Sequence, residues 1–296
     1  MKTAVIFTGG TIGSASKDGY IRTDKNTENI LLNLTDGGVE LFEPYFIHSE
    51  QLNGEYLTKL ISCVGDRLGE DYDGIIVTHG TDTLQYSAAA LALAYGNCDI
   101  PVVLVSANYV LTDPRSNGKD NFKYAVEFLN QSIGGVFVSY RNTGELPRIF
   151  PADSLLKHPC YSDSVSSVCG EFGYFKDGKF IRTIGDYGSE GVGRFALGKK
   201  SPVLWLSVHP GMKFPSTDGY RYVLIEGYHS GTLPTEDEEF IEFCEKSDAK
   251  IFLVGMPEGE RYESAEKYKK LNIVVCPQKS PIYMYMKLWY MAENEQ

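Results

Sequence analysis

Short unbroken apolar runs alternate with stretches of helical periodicity through the first half of this chain. Residues 4–7, 74–77, 102–105 and 135–140 are continuous runs of strand-forming residues bounded by Gly, Pro or polar turns. Between them, the Ala/Leu-rich stretch 83–95 and the amphipathic stretch 121–129 read as helices. Strands apolar on both faces and separated by helices predict a parallel sheet covered on both sides. From 147 to 200 the texture changes to scattered Pro, Ser, Gly and aromatics, with turn signals such as Lys176-Asp177-Gly178-Lys179. Alternation resumes with strands at 203–208, 222–226, 251–254 and 273–276. Thr235 and Glu238 form a capping-box pattern for a helix through Glu245, and residues 281–292 close the chain as a helix. The expected architecture is α/β: a larger N-terminal parallel-sheet domain with helices on both faces (1–185), a linker (186–201) and a smaller C-terminal α/β domain (202–296).

Composition narrows the function class. Lys and Arg number 28 against 39 Asp and Glu, a formal charge of −11 spread along the chain, which argues against a broad surface for nucleic acid or anionic lipid. The six cysteines form no C-x-x-C pair, as expected of free thiols in a reducing compartment. The apolar start at residues 4–7 breaks at once into Thr8-Gly9-Gly10, too short for a signal peptide, and no run approaches the roughly 20 residues of a membrane span. A cytoplasmic protein with a small-molecule ligand is the expectation. The five histidines show no metal-ligand spacing, there is no G-x-S-x-G elbow, and no cofactor is expected.

Two turns carry candidate chemistry. Thr8-Gly9-Gly10-Thr11-Ile12-Gly13 follows the first strand, where paired glycines let a ligand approach the backbone and Thr11 presents a hydroxyl. It is equally readable as a plain Gly-rich loop, and it lacks the G-x-G-x-x-G spacing of a dinucleotide site. His79-Gly80-Thr81-Asp82-Thr83 occupies the equivalent place after a second strand. There Thr81 or Asp82 is either a helix cap, or a hydroxyl and a fixed negative charge for a substrate ammonium. Two Gly-Thr turns at strand ends of one sheet favour the functional reading.

Together with Phe7 before and Leu84 after, these two segments resemble the signature segments of the bacterial-type L-asparaginases. His48-Ser49-Glu50-Gln51-Leu52-Asn53 is similar to that family's Ser-containing substrate loop. Gly170-Glu171-Phe172-Gly173-Tyr174, His209-Pro210-Gly211-Met212 and Glu226-Gly227-Tyr228-His229-Ser230-Gly231-Thr232 extend the similarity in order and spacing over nearly the whole chain. The resemblance implies hydrolysis of the side-chain amide of asparagine, or a related amide, through a Thr nucleophile. Thr11 would attack, and Thr81 and Asp82 would form the second half of the catalytic set. Tyr20 sits where the family places its activating tyrosine, on what reads as a mobile loop; otherwise it is an ordinary exposed aromatic. Gly10, Ser49, Glu50, Gly80 and Asp82 would line the substrate, with Ser49 and backbone amides on the α-carboxylate and Asp82 on the α-ammonium. For Ser49 a plain loop serine is the bland alternative. The resemblance also implies a homodimer or homotetramer; the aromatic crowding of the last helix (Tyr283, Tyr285, Trp289, Tyr290) then reads as interface.

Four positions depart from the family pattern. Ala152 falls where a lysine is expected, with Lys157 five residues on. Glu50 replaces a neutral residue after the loop serine. Ile282 stands where some members carry a glutamate, and Thr232 replaces a small polar amide. These changes sustain an alternative expectation: a catalytically weakened member that binds an amino acid or partner without efficient turnover. A tRNA-dependent amidotransferase component ranks lower, because that subclass usually carries an added N-terminal region.

Overall fold

A computed structural model describes all residues except Asp36, Asp186, Gly188, Ser189, Glu260 and Gln296, three of which fall in the expected linker. The chain divides into two units, residues Met1–Ala196 and Leu197–Gln296.

The first unit carries β1 (Thr3–Phe7), a hairpin of β2 (Ser14–Lys17) and β3 (Tyr20–Thr23), α1 (Thr27–Leu32) and β4 (Val39–Phe42). Next come α2 (Gly54–Leu68), β5 (Gly74–Thr78), α3 (Leu84–Tyr95), β6 (Pro101–Val105), α4 (Gly118–Leu129) and β7 (Gly135–Tyr140). β8 (Arg148–Pro151), β9 (Gly173–Lys176) and β10 (Lys179–Arg182) complete it. The sheet order is β10-β9-β8-β7-β6-β5-β1-β4. Strands β7 to β4 in that order pair in parallel, while β8, β9 and β10 add antiparallel. The parallel-sheet expectation thus holds for β7, β6, β5, β1 and β4, five of the eight strands. Beyond β7 the chain returns through loops and a hairpin, which permit antiparallel pairing.

Every residue of β1, β5, β6 and β7 is buried, as their unbroken apolar runs required. Helix α3 is buried almost all round, and its alanines let it lie close against β7 and α2. On α4, Phe122, Ala125, Phe128 and Leu129 face the sheet; the Phe128 ring meets Phe137 at 5.0 Å and Phe172 at 6.1 Å. Each such buried aromatic contributes about 1.5–3 kcal/mol from area removed from water. That rigid core fixes where the strand ends open.

The second unit has β11 (Val203–Ser207), β12 (Tyr222–Glu226), α5 (Glu238–Lys246), β13 (Lys250–Val254), β14 (Ile273–Val275) and α6 (Pro281–Asn294), with four strands in sequential parallel order. Asp237, not Thr235, caps α5: its side chain accepts from the Phe240 N–H at 3.0 Å. Thr235 is buried, with its N–H given to Leu233. Ser280 caps α6 and Pro281 opens it, a favoured start because proline lacks an N–H the first turn leaves unpaired. Helix α6 packs on β11 and β12, and its Tyr285 ring lies 5.2 Å from Trp205. This part of the last helix's aromatic crowding is packing within the unit. Among the described residues no helix is long and apolar enough to cross a membrane.

Candidate active site

The register of the sheet assembles the site. Phe7 pairs with Thr78, and Thr78 with Val105, so β1, β5 and β6 end side by side. The turns that follow therefore start level, at the carboxyl edge of a parallel sheet, where such folds bind ligands. Main-chain and side-chain bonds then lock them: Thr8 donates its hydroxyl to the Thr78 carbonyl at 2.7 Å, and the His79 N–H reaches the Val105 carbonyl at 2.8 Å. The loop after β4 is drawn in by a reciprocal pair, Ile47 N–H to Thr8 O (3.1 Å) and Gly10 N–H to Ile47 O (2.8 Å).

Glycine is required where these loops touch. Gly10 has φ +73°, and a Cβ there would lie 2.1 Å from the Gly80 Cα. A Cβ on Gly80 would meet Ser49 Oγ at 2.3 Å and the Gly10 Cα at 2.9 Å. The three loops predicted from sequence to line the substrate thus meet at one seam. Ile12, fully buried in the core, anchors the first turn, while neighbouring Thr11 stays half-buried. The Gly10 carbonyl is closed off by Ser14 Oγ (2.7 Å) and the Gly13 N–H (3.0 Å). Ser49 is buried, and its carbonyl accepts from Thr83 Oγ1 at 2.9 Å.

Thr81 and Asp82 lie in a 3-10 turn, Thr81–Thr83, ahead of α3, and no side chain caps either the turn or the helix. The capping alternative is therefore closed. The Thr81 hydroxyl donates to the Ala107 carbonyl at 2.7 Å and lies 2.8 Å from Ser106 Oγ. With its single hydrogen committed to Ala107, Thr81 accepts from Ser106. Asp82 is exposed, with its carbonyl held by Gln85 Nε2, and Glu50 is exposed beside Ser49.

Tyr20 sits at the tip of a paired hairpin instead of in an irregular loop: it pairs with Lys17, while Ser14 and Thr23 form the base. Three strand residues separate base from tip, about 10 Å. The residue is 68% exposed and its ring lies 5.8 Å from the Arg22 guanidinium, so it stands open to solvent, away from the first turn at the hairpin base.

Ala152 is fully buried, with its N–H on Val136 O, and Lys157 is exposed. The neighbouring His158 was missed by sequence reasoning, which weighed histidines only for metal spacing. Its ring lies edge-on to Tyr140 at 6.4 Å. Burial holds its pKa below the usual histidine value, while the carboxylates of Asp82 and Asp163 act in the opposite direction. Asp163 is fixed by Asn108 Nδ2 (2.8 Å) and Thr143 Oγ1 (3.1 Å). Ser106 and Asn108 follow β6, a strand end whose polar residues had no motif to flag them. Among the described residues no three His, Cys, Asp or Glu side chains cluster as metal ligands.

A family model described as Asparaginase, N-terminal, matches residues 2–168. An L-asparaginase of Thermococcus kodakarensis is 32% identical over 145 residues, 47% of this chain but only 44% of that protein's length. A glutamyl-tRNA(Gln) amidotransferase subunit of Methanococcus maripaludis is 22% identical over 317 aligned positions, 98% of this chain and 76% of the relative. In structure, the thermostable L-asparaginase from Thermococcus kodakarensis superposes with a TM-score of 0.84 at 22% identity, covering 99% of this chain and 93% of that one; at this identity the likeness speaks to fold alone.

Proposed function

This chain belongs to the asparaginase family, and from that premise we propose that it hydrolyses the side-chain amide of asparagine or a related amide to the acid and ammonia. The observation that carries the reading is the seam of Gly10, Gly80 and Ser49, which brings two hydroxyl-bearing turns from separate strands to one place. In this reading Thr11, anchored by buried Ile12 but itself accessible, attacks the amide carbon. Ammonia leaves, and water releases the acid from the acyl-threonine. A threonine hydroxyl must give up its proton as it attacks, and Tyr20 relays it once the hairpin tip bends toward the turn: its hydroxyl takes the Thr11 proton while giving its own to the departing amide nitrogen, which leaves as ammonia. Thr81 and Asp82 form the second half of the set; Asp82, exposed and fixed by its backbone, receives the substrate ammonium, and Ser49 faces the carboxylate. Glu50, next to Ser49 and on a separate loop from Asp82, supplies a second carboxylate, which repels the substrate carboxylate unless it turns away or pairs with the ammonium. Six free thiols suit a reducing cytoplasm, and a homodimer or homotetramer is the proposed assembly.

A second reading is supported by buried Ala152 and exposed Glu50: a binder of an amino acid that turns over poorly. A third takes weight from the amidotransferase relative, which aligns along 98% of the chain: a component that releases ammonia for a partner enzyme. Purified protein incubated with asparagine, glutamine and D-asparagine, with ammonia as readout, separates them. Release that falls at least 100-fold in Thr11→Val and Thr81→Val supports the hydrolase. No release from any amide, with tight aspartate binding by calorimetry, supports the binder. Release that rises only with an amidotransferase partner supports the third reading.

A further inference from the structure

His79 lies fully buried between the end of β5 and the start of α3, and both ring nitrogens are engaged. Nδ1 is 2.8 Å from the Gly80 carbonyl and Nε2 is 2.7 Å from Ser87 Oγ. A carbonyl oxygen only accepts, so Nδ1 carries the hydrogen; in a neutral ring Nε2 then accepts from the Ser87 hydroxyl. The backbone of the same residue is tied to β6 through Val105 O. His79 is thus a fixed strut joining the sheet, the helix start and the Gly80 carbonyl.

The Gly80–Thr81 peptide is planar, so pinning its carbonyl also sets the direction of the Thr81 N–H and the entry of the chain into Thr81. Gly80 has no room to adjust on its other side, where Gly10 and Ser49 close in. Left without its donor, the buried Gly80 carbonyl would have to find another partner, and rotation of this peptide is the route open to it. Such a rotation would displace the Thr81 hydroxyl from Ala107 O and Ser106 Oγ.

We propose that His79 is a positioning residue: as a neutral Nδ1–H imidazole braced by Ser87, it holds the Gly80–Thr81 peptide so that Thr81 faces the reacting amide. The catalytic part of this inference rests on the amidohydrolase reading; the tautomer and the strut do not. Burial lowers the pKa of His79 to about 4, so the ring stays neutral at physiological pH and is no proton donor to substrate.

The experiment combines 15N NMR of histidine-labelled protein with kinetics of His79→Asn, which keeps an N–H near the Nδ1 position, and His79→Phe, which fills the space without one. The expected spectrum shows His79 as the Nδ1–H tautomer from pH 5.5 to 8. His79→Phe should lower kcat about 100-fold with KM changed less than tenfold, and His79→Asn should recover most of that loss. An Nε2–H tautomer in the parent protein overturns the proposal, whether or not the variants fold. So does an Asn variant no faster than a folded Phe variant. Should the parent release no ammonia, the hydrolase reading fails by itself. The same variants are then compared for aspartate affinity by calorimetry, where equal affinity in Asn and Phe variants would refute the strut's role in shaping the site.

Discussion

Gly10 and Gly80 lie back to back, so close that a side-chain carbon on the first would stand 2.1 Å from the α-carbon of the second. Residues seventy apart in sequence are in backbone contact because β1 and β5 run in register to Phe7 and Thr78. Gly10→Ala combines this clash with a left-handed φ, whereas Gly80 has φ −78°, a conformation alanine tolerates. Each substitution is expected to destabilise the first unit by about 1–3 kcal/mol in urea melts. Ser49→Gly in the Gly80→Ala background should return part of that loss, since Ser49 Oγ and Cβ are the nearer side-chain obstacles. Additive, uncoupled effects would show that Ser49 does not obstruct the added methyl.

The buried His79 makes stability pH-dependent with a definite sign. Unfolded, its imidazole binds a proton near pH 6.5; folded, only near 4. Between these values the unfolded state holds more protons, so stability rises with pH across the window and is lost as pH falls through it. The full effect is about 3 kcal/mol. Urea unfolding from pH 7 to 4 should show the slope, and His79→Asn should flatten it if the variant folds.

Asp82 and His158 are electrostatically linked, since the Asp82 carboxylate favours the charged imidazole that burial disfavours. Asp82→Asn removes that support and should move the His158 titration to lower pH in a histidine NMR series. Asp163→Asn should move it in the same direction. A rise in either variant would contradict the arrangement of the three groups.

Helix α5 tests the reassigned cap. Asp237→Ala should cost about 0.5–2 kcal/mol in the second unit, because it strands the Phe240 N–H. Glu238→Ala, which removes the other half of the pattern read from sequence, should cost less than Asp237→Ala does. The comparison is made by thermal melting of the whole chain, following a probe in the second unit.

Apolar runs at residues 4–7, 74–77, 102–105 and 135–140 were enough to read four central strands, because a strand buried on both faces has no polar alternation. The antiparallel edge was not readable that way: β8 is mostly buried but only four residues long and ends in proline, and the partly exposed β9 and β10 lie in a Gly- and aromatic-rich stretch with no clean period. The β2–β3 hairpin bearing Tyr20 escaped for the same reason: outside Ser14 it is almost wholly exposed. At α5 the Thr235–Glu238 spacing pointed to the wrong residue. Several hydroxyl- and carboxylate-bearing residues precede that helix, and only the chain path selects which one reaches a free N–H.

By itself the sequence determined the alternation of strands and helices, the two Gly-Thr turns and the family they resemble, because periodicity and turn chemistry are local properties of the chain. Tertiary structure alone decided that Gly10, Gly80 and Ser49 meet, that the Thr81 hydroxyl is taken up by Ser106 and Ala107, and that His158 feels Asp82. Those relationships depend on the register of β1, β5 and β6. Register is set by how a whole buried sheet packs, and no short segment encodes it.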